Sequence, residues 1–177
     1  MKILVVSDIH GSYHYAKKIK DIYEREKPER IILLGDLYYH GPRNPLTDEY
    51  DPMKVAGILN DYSDIITCIR GNCDAEVDEM ISDFKFHDFD EEKINGKIFF
   101  FTHGHIYNRD RMPENIDVLV YGHLHTGFIE VENDVICVNS GSISLPKNGT
   151  AHSYLIIDDE KIYLKDEGGN LIKEIKY

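Results

Sequence analysis

The sequence has no tryptophan, only 3 cysteines and no apolar run long enough to cross a membrane. Cys68, Cys73 and Cys137 are odd in number and share no repeated spacing, which argues against a disulfide framework and fits a reducing compartment. Positive charge is also scarce. Lys and Arg number 20 against 32 Asp and Glu, a formal net charge of −12, and a surface this acidic repels the phosphate backbone of long nucleic acids. The apolar Ile3-Leu4-Val5-Val6 gives way to Ser7-Asp8, too short a stretch for a signal-peptide core, so a cytoplasmic protein without membrane association is expected. Glycine and proline, 13 and 6 residues, are too few for a fibrous or low-complexity chain.

What is present is a globular pattern. A chain of 177 residues, 42% hydrophobic and 29% charged, can bury about 70% of its unfolded surface, so one domain over residues 1–177 is expected. A strand covered on both faces is expected over residues 2–7, from the unbroken apolar run at their centre. Helical spacing of Tyr15, Ala16, Ile19, Ile22 and Tyr23 predicts a helix over 13–26, stopped by Lys27-Pro28. Further strands are expected at 31–34, 65–69, 97–102, 117–121, 135–138, 153–157 and 161–164, with helices over 53–61 and 75–84. Asp51-Pro52 reads as a cap and first-turn proline for the first of these helices, and Asp158-Asp159-Glu160 as a hairpin turn. Helical connections early and turns late predict a layered α/β or α+β domain with a mixed sheet or two packed sheets. The nine acidic residues between 74 and 92, against one basic Lys85, read as a solvated face.

The polar residues fall in one kind of place. Asp8 and His10 follow the first strand, Asp36 the second, Asn72 the third, His103 the next, and His123 with His125 the one after. Carboxyl ends of parallel strands line the ligand crevice of open α/β sheets, so neighbouring parallel strands bring these seven side chains together. Two carboxylates, an amide oxygen and four imidazoles suit manganese foremost, and also iron, zinc, nickel or magnesium. Seven ligands exceed what one open catalytic ion takes, so two ions sharing a carboxylate is the natural division. A bridging hydroxide on such a pair is an in-line nucleophile for a phosphoester. Singly, each piece has a plainer reading: Asp8 can cap the following helix, Gly35-Asp36 is common in turns, and an Asn in a turn usually satisfies backbone.

Together, Asp8-x-His10, Gly35-Asp36, Gly71-Asn72-x-Asp74, His103-Gly104 and Gly122-His123-x-His125 resemble the motif set of the calcineurin-like metallophosphoesterases. His40-Gly41-Pro42-Arg43-Asn44 and Thr102-His103-Gly104-His105 extend the likeness to the small bacterial and archaeal phosphodiesterases among them. The resemblance implies a four-layer α/β/β/α sandwich of two mixed sheets. It allots Asp8, His10 and His125 to one ion, Asn72, His103 and His123 to the other, and Asp36 to both. It makes Arg43 and Asn44 candidates for contacting substrate phosphate, a guanidinium being suited to two-point phosphate binding. Many members carry histidine directly after the metal-binding asparagine, to assist the leaving group, and this chain has Cys73 there. A thiol stabilises an alkoxide poorly, so aryl phosphodiesters are expected to be better substrates than alkyl phosphomonoesters, with His105 or His40 as partial substitutes. Asp74 is expected to orient a ligand rather than to bind metal. The expected function is hydrolysis of small phosphodiesters, with self-association into a dimer or tetramer implied by the relatives. The alternatives are a non-catalytic metal-binding scaffold of the same fold, a phosphomonoesterase or a nuclease.

Overall fold

The computed structural model describes residues 1–177. The apolar alternation along the first strand explains the layering. In β1 (Ile3–Val6), Ile3 and Val5 enter one core while Leu4 and Val6 enter another. β2 (Arg30–Leu33) repeats the division, with Ile32 on the first side and Ile31 and Leu33 on the second. The run reads as continuous because both faces of the sheet are covered.

On one side lie α1 (Tyr13–Glu26) and α2 (Pro52–Asn60). Ser12 caps α1, accepting from the Tyr15 N–H, and Asp51 caps α2 through the Lys54 N–H. Beyond them the sheet continues through β3 (Ile66–Ile69) and β4 (Phe86–His87). On the other edge it is closed by β10 (Ser153–Ile157), β11 (Lys161–Asp166) and β12 (Leu171–Lys176). The seven strands run β12-β11-β10-β1-β2-β3-β4, parallel from β1 to β4 and antiparallel at the β10 side.

A second sheet holds β5 (Phe89–Ile94), β6 (Lys97–Thr102), β7 (Val118–Tyr121), β8 (Gly127–Glu132) and β9 (Val135–Ser140), in the order β5-β6-β7-β9-β8. β6, β7 and β9 are mutually parallel. Phe99, Phe101, Val118 and Val120 pack inward against Ile3, Val5 and Ile32 of the first sheet. Each such side chain taken from water contributes about 1.5–3 kcal/mol. Phe100, Leu119 and Tyr121 face outward, under Tyr107, Met112 and Ile116 of the 103–117 loop. The two mixed sheets are thus as expected, and the outermost layer over the second sheet is loop.

The helix expected over 75–84 is a correction: only a 3-10 turn, Glu76–Met80, forms. Three acids in that turn repel one another, and Val77 and Met80 stay 60% and 82% exposed, so no apolar face supports a longer helix.

Candidate metal centre

The loops after β1, β2 and β3 in one sheet and after β6 and β7 in the other meet at one edge of the sandwich. They carry all seven of the expected ligands. Asp8 Oδ1 lies 3.6 Å from His10 Nε2 and 3.2 Å from His125 Nε2, and the two imidazole nitrogens are 3.2 Å apart. Asp36 Oδ2 is 3.6 Å from the same His10 nitrogen, while its Oδ1 is 3.5 Å from His103 Nε2. His103 Nε2 in turn stands 3.1 Å from Asn72 Oδ1 and 3.2 Å from His123 Nδ1.

These are acceptors aimed at acceptors. His10, His103 and His125 each donate Nδ1–H to a backbone carbonyl, of Tyr39, Leu34 and Leu145 at 2.8, 2.6 and 2.6 Å. A carbonyl can only accept, so each ring in its neutral form turns an Nε2 lone pair toward the carboxylates. Asp8 Oδ1 is buried with no donor. Ligands about 2.1 Å from one cation stand about 3.0–3.5 Å apart, and the separations here, 3.1 to 3.6 Å, are close to that, so the residues fit a divalent metal. Asp36, with an oxygen on each side, faces two such pockets.

The carboxylates and imidazoles also shift one another's ionisation. Burial pushes the Asp8 carboxyl up, but His10, His125 and His103 outweigh it and hold the carboxyl well below the usual range. Burial also lowers His10, yet Asp8, the Tyr39 carbonyl and Asp36 raise it on balance. Burial and the neighbouring His103 push His123 down to about 4, so the ring is neutral at neutral pH and one of its two nitrogens offers a lone pair.

A ring of supports holds these groups. Asp74 accepts from the N–H groups of Asp36, Leu37 and Gly71 at 2.8, 2.8 and 2.7 Å, so it fixes the Asp36 turn and does not face either pocket. Burial pushes its carboxyl up to about 6 against those donors, and the Asp36 charge adds to the rise. A methyl group at Gly71 would sit 2.1 Å from Asp36 Oδ1, which explains the glycine before Asn72. Ser142 and Ser144 donate to the Asp8 carbonyl at 2.7 and 2.8 Å, and Asn139 donates to the Gly122 carbonyl at 2.6 Å. Their signal in the sequence is Asn139-Ser140-Gly141-Ser142-Ile143-Ser144, a mostly small and polar run across the end of β9.

The family is decided by comparison. Residues 1–161 match the calcineurin-like phosphoesterase superfamily domain. The chain belongs to that family. This phosphoesterase is 36% identical to the phosphodiesterase YfcE of Escherichia coli over 163 residues, 90% of this chain and 89% of YfcE. A solved structure of E. coli YfcE superposes with a TM-score of 0.96 over 99% of both chains. The phosphodiesterase MJ0936 of Methanocaldococcus jannaschii is 29% identical over 151 residues, 80% of this chain and 83% of that protein. Vps29 of Chaetomium thermophilum, 18% identical over 100% of this chain and 98% of its own, shares the fold at a TM-score of 0.68.

In this phosphoesterase the pockets open on a cleft of about 430 Å³. Asp36, Asn72, His123 and His125 lie at its base; Arg43, Asn44 and Cys73, expected from the sequence, line it, together with Tyr39 and Lys147, which were not. Burial and the Asp36 charge push the Cys73 thiol up to about 12, so it is uncharged at neutral pH. His105 lines an adjoining recess with His123 instead of the cleft. His40 is enclosed by the Tyr39 and Tyr50 rings, at 4.8 and 5.4 Å, and does not line the cleft either. No helix is long and apolar enough to cross a membrane.

Proposed function

We propose that the chain is a phosphodiesterase with a dinuclear centre, manganese foremost, acting on small phosphodiesters in the cytoplasm. The observation that carries this reading is Asp36, whose two oxygens serve different imidazoles, His10 at 3.6 Å and His103 at 3.5 Å, so that one carboxylate closes two adjacent pockets. Divalent cations held there supply an acidified water as nucleophile and neutralise the phosphoryl charge.

The chain's own part is positioning. Asp8, His10, His125 and Asp36 hold the first pocket, and Asn72, His103, His123 and Asp36 the second. The carbonyls behind the rings keep each imidazole in one orientation and tautomer. Arg43 offers a planar pair of donors to the phosphate oxygens and Asn44 a further amide. Cys73, as an uncharged thiol, lends the departing oxygen at most a weak hydrogen bond, which favours aryl leaving groups that need little help. His105, beyond His123, acts through that ligand and does not meet the leaving group. Assembly into a dimer or tetramer belongs to the same proposal.

The second reading is a scaffold that binds metal without turnover, favoured only by the fold shared with Vps29. The filled set of seven ligands supports the enzyme. The test is hydrolysis of bis-p-nitrophenyl phosphate and p-nitrophenyl phosphate by the manganese-loaded protein, with Asp36→Asn and Asn72→Ala alongside. The expected result is a preference for the diester and a loss of about a hundredfold or more in both variants. Activity that survives both substitutions overturns the proposal. Manganese uptake without hydrolysis of either ester establishes the scaffold, and a better monoester establishes a phosphomonoesterase.

A further inference from the structure

Lys147 lines the same cleft as Asp36, Asn72, His123 and His125. Its backbone is pinned there. The Lys147 N–H donates to the His125 carbonyl at 2.8 Å, and its own carbonyl accepts from the Thr150 N–H and hydroxyl at 3.0 and 2.8 Å. The ammonium, by contrast, has neither a hydrogen bond nor a carboxylate within 4.0 Å. The other cation lining the cleft, Arg43, likewise has no carboxylate partner, so both basic side chains on its walls are free to meet an anionic ligand.

The charge at the cleft base makes a fixed cation there redundant for the scissile group. A phosphodiester carries a single negative charge, and two divalent cations facing the carboxylates of Asp8 and Asp36 already exceed it. Arg43 adds a further cation from the 41–44 loop. Lys147 belongs to a different wall, the one that carries His125, whereas Cys73, where the leaving group is expected, lies beside Asn72.

Resting on the phosphodiesterase reading above, we infer that Lys147 is a specificity residue for a second anionic group, a phosphate or carboxylate, on the half of the substrate that stays bonded to phosphorus. The substrate class is then a diester with an additional negative charge near the scissile one. Neutral-sided diesters turn over but bind less well. The ammonium acts as a point charge and does not take part in bond breaking.

The experiment uses two diesters with one leaving group, thymidine 5′-(p-nitrophenyl phosphate) and the same compound carrying a 3′-phosphate. The manganese-loaded wild type, Lys147→Met and Lys147→Arg are compared. The expected result is a preference of about tenfold in kcat/KM for the 3′-phosphorylated compound, carried in KM and weakened by added salt. Lys147→Met removes the preference and Lys147→Arg restores most of it. Equal use of both compounds by the wild type overturns the inference, as does a Lys147→Met variant that loses activity on both in equal proportion. If neither diester is cleaved by the wild type, the phosphodiesterase reading itself fails.

Discussion

Five of the seven side chains that close the two pockets, Asp8, His10, Asp36, His123 and His125, sit in the left-handed region, with φ between 50° and 65°. For residues with a Cβ this costs about 1–2 kcal/mol each, so the loops hold backbone strain where their ligands gather. The sharp turn lets a residue directly after a strand point back across the sheet edge. Space around it matters as much as angle. A Cβ at Gly122 would lie 2.0 Å from Ser7 Oγ and 2.8 Å from Asp8 Oδ2. Those atoms already hydrogen-bond at 2.6 Å, and Asp8 Oδ2 also accepts from the His123 N–H at 3.0 Å. Gly122→Ala must therefore displace Asp8. The expected outcome is a loss of about 1–3 kcal/mol in stability and of about tenfold or more in manganese affinity, read by calorimetric titration. An unchanged affinity would show that Asp8 does not depend on that spacing.

At the scale of elements, the last residue of α1 ties the helix to the sheet edge. Glu26 accepts from the Tyr154 hydroxyl of β10 and the Lys165 ammonium of β11, both at 2.8 Å. Burial pushes this carboxyl up, but Lys165 and Tyr154 outweigh burial and hold it below its ordinary 4.5. A lowered carboxyl contributes stability that is complete above the ordinary value and is lost as pH falls through the folded one. Glu26→Gln is expected to cost about 1–3 kcal/mol at pH 7, and the gap to wild type to narrow by about pH 3, in urea denaturation at the two pH values. A gap independent of pH would rule out the ion pair as its source. Elements buried on both faces were the legible ones: β1, β2, β6 and β7 read as unbroken apolar runs, and α1 begins and ends where its spacing and Lys27-Pro28 indicate. β5 and β12 were not legible: charged residues outnumber apolar ones four to two along β5, and β12, with three of each, is almost wholly exposed. The proposed metal ligands were legible because each stands within four residues of a strand's carboxyl end. Ser142, Ser144, Asn139 and Lys147 were not, since ordinary turn residues become functional only once β9 lies beside β7.

On the scale of the whole molecule, each pocket draws ligands from both sheets: Asp8, His10, Asp36 and Asn72 follow strands of the first, and His103, His123 and His125 strands of the second. Cations bound there, as proposed, would therefore bind the folded state alone. At a concentration of 100 times Kd this adds about 2.7 kcal/mol, which raises Tm by about 5–10 °C for a chain of this size. The expected outcome in a thermal melt is such a rise with manganese, reversed by chelator and largely absent in Asp36→Asn. A melt indifferent to manganese would mean that the pockets do not load. None of the three cysteines is paired, so the two halves of the sandwich have no covalent link beyond the chain itself. Cations bound where the charged side chains converge, as proposed, would be a removable rivet between the halves. How firmly this protein holds together would then vary with the supply of metal around it.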